Sequence, residues 1–106
     1  MNKYRNKKIT FDGHKFDSKK EYERYLILRE ALEKKEISAL ELQKRHPLFV
    51  KNIKVASYVA DFDYVLKNGQ IVTEDVKSKM TAKLPVYRLK RKMFAAQYDR
   101  QILETF

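Results

Sequence analysis

Between Tyr58 and Lys79 the sequence reads YVADFDYVLKNGQIVTEDVKSK, two alternating runs on either side of Lys67-Asn68-Gly69. Alternation of this kind predicts two antiparallel strands, because successive side chains of a strand point to opposite faces. Their pairing register constrains the chain more than any other feature. A slip of one residue would carry every side chain of a strand to the other face. These strands also hold Asp61, Asp63, Glu74, Asp75 and Lys77. A chain of 106 residues supports one modest core, so charges in its strongest hairpin call for a reason.

Two loops suit the sequence. A two-residue Asn68-Gly69 turn sets Asp61 opposite Val76, on a face shared with Glu74. A three-residue loop, Lys67-Asn68-Gly69 with Gly69 left-handed in a bulge, sets Asp61 opposite Asp75. The second is expected. It gathers Val59, Asp61, Asp63, Asp75 and Lys77 on one face, and leaves Tyr58, Ala60, Phe62, Tyr64 and Leu66 on a face that is apolar except for Glu74.

Cross-strand carboxylates with Cβ atoms about 5 Å apart can share one cation, and repel each other without it. The chain has no cysteine, which excludes disulfides and thiolate sites, and hard oxygen ligands suit Mg²⁺ or Mn²⁺. Lys77 could neutralise the pair as a structural salt bridge, or orient a water beside a scissile phosphate. A charged edge strand that resists aggregation is the plain alternative.

Glu21 adds a fourth acid. In SKKEYERYLILREAL, Glu21, Tyr25, Leu28 and Leu32 fall on one helical stripe, so Glu21 begins the face turned to the sheet. Ser18 and Glu21 also fit a capping box, and the two roles are compatible. The remaining pattern is an ITFDGHKF hairpin about Asp12-Gly13, a long helix capped by Asp17 or Ser18, and a strand in SALELQKRHPLFV with Leu40 and Leu42 on one face and a break at Pro47. After the central hairpin come a polar KMTAKL connection, a helix over Pro85 to Tyr98, and a short final strand in RQILETF. The order of hairpin, helix, three strands, helix and strand predicts one α/β domain over residues 1–106, with helices packed on a central mixed sheet.

Lys and Arg number 24 against 14 Asp and Glu, a formal net charge of +10, which favours a polyanionic partner such as DNA. Residues 1–8 form a basic arm with Lys3, Arg5, Lys7 and Lys8, read either as a frayed terminus or as phosphate contacts. Lys79 and Lys83 follow the hairpin. In the second helix Val86, Leu89, Met93 and Ala96 form an apolar stripe, while Arg88, Lys90, Arg91 and Lys92 lie mostly away from it and offer a phosphate-facing surface or a solvated one. Tyr87 and Tyr98 could stack on bases, but packing is the better reading. Isolated His14 and His46 suit surface or hydrogen-bonded roles. The longest apolar runs are too short for a membrane span or a signal peptide, and a cytoplasmic protein without a nucleotide cofactor is expected.

A helical Glu, a strand Asp, a short hairpin, a (D/E)-x-K strand and a basic helix together resemble the PD-(D/E)XK nuclease superfamily. More narrowly, FDSKKEYERY, LELQ, YVADFDY, EDVKS and VYRLKRKMF are similar to a small phage-encoded family often grouped with Holliday-junction-resolvase-like endonucleases. The resemblance spans nearly the whole chain. It implies a restriction-endonuclease-like core and a Mg²⁺- or Mn²⁺-dependent DNA endonuclease acting on branched or double-stranded DNA, as a homodimer in the host cytoplasm. By the same resemblance Asp61, Asp75 and the Val76 carbonyl hold the metal, Glu21 is an additional ligand or holds a metal-bound water, and Lys77 is the catalytic lysine. Ala60 stands where the superfamily name has Pro, which removes no ligand. Gln43 could line the site or bond backbone, Asp63 shares the acidic face, and Glu74 would replace Asp75 if the shorter turn formed. Two alternatives remain open: a non-catalytic nucleic-acid-binding module on the same fold, and a protein-binding role for the acids.

Overall fold

The computed structural model describes residues 8–106. The expected contacts of Lys3, Arg5 and Lys7 lie outside them. A short hairpin, β1 (Ile9–Phe11) and β2 (His14–Phe16), leads into α1 (Lys19–Glu33). Two long strands follow, β3 (Ile37–Val50) and β4 (Ile53–Leu66), then β5 (Ile71–Val76), a 3₁₀ turn at Thr81–Lys83, α2 (Pro85–Tyr98) and β6 (Leu103–Thr105). The main sheet is mixed, in order β3-β4-β5-β6, with β6 parallel to β5 and the other pairs antiparallel. The expected α/β architecture of a mixed sheet, two helices and an N-terminal hairpin is therefore present.

The central loop has three residues. Leu66 and Gln70 close it, with Leu66 N–H donating to the Gln70 carbonyl at 2.9 Å, and Gly69 turns left-handed at φ +90°. The ladder then runs Val65–Ile71, Tyr64–Val72, Asp63–Thr73 and Phe62–Glu74. The ladder ends there, and side-chain to backbone bonds link Asp61 with Asp75 and Val76 just beyond it.

One feature of β4 departs from simple alternation. Phe62 and Tyr64 pack with Tyr25 and Leu28 of α1, whereas Tyr58 and Ala60 pack with Tyr87 and Phe94 of α2. Even-numbered residues thus change face between Ala60 and Phe62. On β3, between the pairs Leu42–Phe62 and Lys44–Ala60, Gln43 adopts a left-handed φ of +54°. A local kink of this kind lets one pair of strands serve two helices on opposite faces. It corrects the expectation of a single aromatic face from Tyr58 to Leu66.

Two strand boundaries also differ from expectation. β3 passes through Pro47 without a break, because β3 is an edge strand and the missing N–H costs no ladder bond there. β4 begins at Ile53, well before Tyr58. Lys51 and Asn52, both left-handed, turn the chain directly from β3 into it.

The apolar stripe expected to pack α2 is not the buried one. Val86 and Leu89 are 65% and 59% exposed and Ala96 is exposed, while Met93 is half-buried. The helix instead buries Tyr87 and Phe94 beside a half-buried Tyr98. Large rings bury more area than Val or Leu, and here both tyrosine hydroxyls find partners, Tyr87 at Glu104 and Tyr98 at the Pro47 carbonyl. On α1, Glu21, Tyr25 and Leu28 are buried as the stripe predicts, but Leu32 is 38% exposed.

No atom lies within 4 Å of the position a Cβ would take at Gly69, so a substitution there meets backbone strain alone. Gly69→Ala should cost about 1–2 kcal/mol, read from urea denaturation. A cost near zero would mean that the loop does not depend on the left-handed residue.

Candidate active site

The hairpin register joins Asp61 and Asp75 through the backbone of the opposite strand. Val76 N–H donates to Asp61 Oδ2 at 2.8 Å, and Asp61 N–H donates to Asp75 Oδ1 at 3.3 Å. Asp75 is 2% exposed. Its Oδ2 accepts the Tyr58 hydroxyl and lies 3.2 Å from Lys77 Nζ. The Lys77 ammonium also sits over the Tyr87 ring, 4.2 Å from its centroid.

Glu21 arrives from the first turn of α1. Ser18 caps that helix, its Oγ accepting Glu21 N–H at 3.1 Å. The Glu21 carboxylate accepts Asp17 N–H at 3.4 Å on one oxygen and the Gln43 side-chain amide at 3.1 Å on the other. Capping and site lining therefore coexist at this residue. A cleft of about 360 Å³ collects Glu21, Asp61, Val76 and Lys77, with Asp17, Ser18, Lys20, Ser78 and Thr81 around them.

The acids are under electrostatic strain. Burial, aided by the charges of Asp17 and Asp75, pushes the Glu21 carboxyl up to about 7 despite its bond from the Asp17 backbone. Burial, aided by the charges of Asp75 and Glu21, pushes Asp61 up to about 8. Among the described residues, no group of three or more His, Cys, Asp or Glu side chains is placed to hold a metal ion by itself.

Two of the residues considered as site-lining are engaged elsewhere. Glu74 is fully buried on the α1 face of the sheet. Arg24 holds it through Nε at 2.6 Å and a second nitrogen at 3.0 Å, and the Tyr64 and Thr105 hydroxyls complete its shell at 2.5 and 2.8 Å. Burial opposes ionisation there, yet these bonds hold the Glu74 carboxyl below its usual range. The three-residue loop is what turns Glu74 away from Asp61. Asp63 accepts a hydrogen bond from Thr73 at 3.0 Å and pairs with His46 at 3.0 Å, with Arg100 3.8 Å away. It is a buried link between β4 and the α2 side rather than part of the cleft. Gln43, though exposed, touches the site through Glu21.

Of the basic residues expected to meet phosphate, Lys8, Lys79, Lys83, Arg88 and Lys92 are exposed and Lys90 is half-buried. Arg91 is instead tied to Glu104 at 3.1 Å. Sequence reasoning missed Tyr58, Tyr87 and Glu104 as neighbours of the site. Alternation assigned Tyr58 to the wrong face, and the kink at Asp61 that brings it round has no sequence signature beyond an acid amid apolar residues. Glu104 could have been suspected as the acid at the centre of the short final strand.

The chain belongs to the family described as "Protein of unknown function (DUF1064)", whose model matches residues 1–105. No curated protein and no solved structure matches the chain.

Because the Glu21 and Asp61 carboxyls are raised, their stabilising contribution is complete below about pH 4 and is lost as the pH climbs through about 7 and 8. The thermal midpoint of the metal-free protein should therefore fall between pH 5 and pH 8, and Asp61→Asn should flatten that fall. An equal slope in the variant would refute the assignment. Arg24→Met should cost about 3–5 kcal/mol by leaving the Glu74 charge buried and unpaired, measured by chemical denaturation; a loss under about 1 kcal/mol, the range of exposed pairs, would contradict it.

Proposed function

We propose that this protein is a Mg²⁺- or Mn²⁺-dependent endodeoxyribonuclease. The observation that carries the reading is the cross-strand pair of Asp61 and Asp75 with the Lys77 ammonium 3.2 Å from Asp75; Asp61 and Lys77 line the cleft, and Asp75 is buried against both. The donor set fits a hard divalent cation. Mg²⁺ characteristically takes one or two carboxylates and completes its shell with waters and substrate phosphate, so a three-carboxylate cage is not required. The raised Glu21 and Asp61 carboxyls describe a cluster short of positive charge.

Asp61, Asp75 and the Val76 carbonyl would hold the ion, and Glu21 would hold a water beside it. When bound, the ion supplies positive charge to the phosphate and makes its water more acidic. Lys77 then orients the attacking water and balances charge on the phosphate. The water oxygen would bond to phosphorus and give up a proton while the bond from phosphorus to the 3′ oxygen breaks and that oxygen takes up a proton from solvent, leaving 5′-phosphate and 3′-hydroxyl ends. Gln43 steadies Glu21 through its amide. The net charge of +10 and the exposed Lys79, Lys83, Arg88 and Lys92 suit the DNA backbone, and no base-reading pattern accompanies them. Branched DNA is the substrate favoured by the family resemblance. A single Asp61–Asp75 pair per chain means that cutting two strands symmetrically calls for a homodimer. The host cytoplasm is the matching compartment. Among the described residues no helix is long and apolar enough to cross a membrane.

A nucleic-acid-binding module on the same fold is the second reading. It is favoured by Asp75, whose two oxygens are already engaged by Tyr58, Lys77 and the Asp61 N–H. Branched and linear DNA incubated with Mg²⁺ or EDTA separates the two. Cleavage by the wild type should require the cation and should fall about 10²–10³-fold in Lys77→Ala. Binding that proceeds without cleavage in either cation would replace the nuclease with the module.

A further inference from the structure

We infer that Tyr87 is a positioning residue for Lys77, and that β6 and α2 together form a cradle for that ammonium; the inference rests on the nuclease reading. A lysine side chain has four rotatable bonds, and a salt bridge to one carboxylate oxygen leaves it several orientations. Here the ammonium has a second support. It lies 4.2 Å from the Tyr87 ring centroid, where the negative face of the ring attracts a cation. Tyr87 is 8% exposed, so the ring cannot easily turn aside.

The ring is itself clamped. Its hydroxyl donates to Glu104 Oε2 at 2.5 Å, and Arg91 donates to the same oxygen at 3.1 Å. Glu104 is the parallel-strand partner of Asp75 in the β5–β6 register. One β-ladder thus places the ligand carboxylate on β5 and, on β6, the anchor of the ring beneath the lysine. Lys77 N–H adds a bond to the Thr105 carbonyl at 2.8 Å, which fixes the start of the side chain as Tyr87 fixes its end. These contacts give a role to the acid at the centre of the three-residue β6. They also account for the tyrosine that α2 buries in place of its Val86–Leu89 stripe.

A ring that only fills space and a ring that aims an ammonium differ in what its loss changes. Tyr87→Leu should lower kcat for DNA cleavage about 10–100-fold, as misplacement of a catalytic group does, with KM for DNA and the cation requirement unchanged. Tyr87→Phe keeps the ring but loses the hydroxyl clamp on Glu104, so its kcat should fall between those of the wild type and Tyr87→Leu. In the nuclear magnetic resonance spectrum the terminal methylene of Lys77 should be shifted upfield by the ring in the wild type and in Tyr87→Phe, and should lose that shift in Tyr87→Leu. Should Tyr87→Leu fail to fold, Glu104→Gln loosens the clamp from outside and should lower kcat in the same sense at constant KM. Cleavage by a folded Tyr87→Leu, or by Glu104→Gln in its place, at the wild-type kcat would overturn the inference and leave the nuclease reading intact. A wild type that cleaves no DNA with Mg²⁺ or Mn²⁺ would overturn both.

Discussion

The candidate site depends on a single pairing register, held by two reciprocal bonds in which each aspartate side chain meets the backbone of the other's strand. Val76 N–H closes on Asp61 and Asp61 N–H closes on Asp75. Backbone donors are the right anchors for such a pair. They orient the carboxylates without adding a charge of their own, so a cationic partner is still needed. The register is fixed some distance away, where Gly69 turns left-handed and lets three residues bridge the strands. Moving the ladder by one residue would bring Glu74 beside Asp61 and break up the Arg24 pairing on the far face.

Around that register the sheet divides its acids by face. Glu74 and Asp63 are buried and fully engaged, one with α1 through Arg24, the other with the α2 side through His46, Thr73 and Arg100. Asp61 and Glu21 line an open cleft with raised carboxyls, and Asp75 is buried beside Asp61. Five acids near one hairpin therefore perform two kinds of work. Those with matched partners tie helices to the sheet, and the others gather at the cleft, where a polyanion and its counterion could approach. The kink at Asp61 and Gln43 makes this division possible, because it lets Tyr58 come round to Asp75 while Phe62 stays under α1.

Much of this was legible in the residues. The order of elements, the Pro85–Tyr98 helix, the three-residue loop and the dual position of Glu21 follow from turn chemistry, proline placement and helical spacing. What escaped was non-local. The kink reverses a face in mid-strand, and no periodicity argument can see a left-handed residue such as Gln43 that lacks glycine's signature. The buried side of α2 escaped for a related reason. Its Val86–Leu89–Met93 stripe satisfies helical spacing, but the Phe94 ring and two tyrosines with hydrogen-bonding partners on β3 and β6 outweigh it. Pro47 reads as a break only until the strand carrying it is known to be an edge.

The central claim is that Asp61 and Asp75 share a divalent cation. Crystals soaked in Mn²⁺, with the anomalous signal of the metal recorded, test it most directly. One strong peak is expected between the two aspartates, beside the Val76 carbonyl, and it should disappear in Asp75→Asn. A soaked crystal with no peak there, or with a peak that survives that substitution, would contradict it.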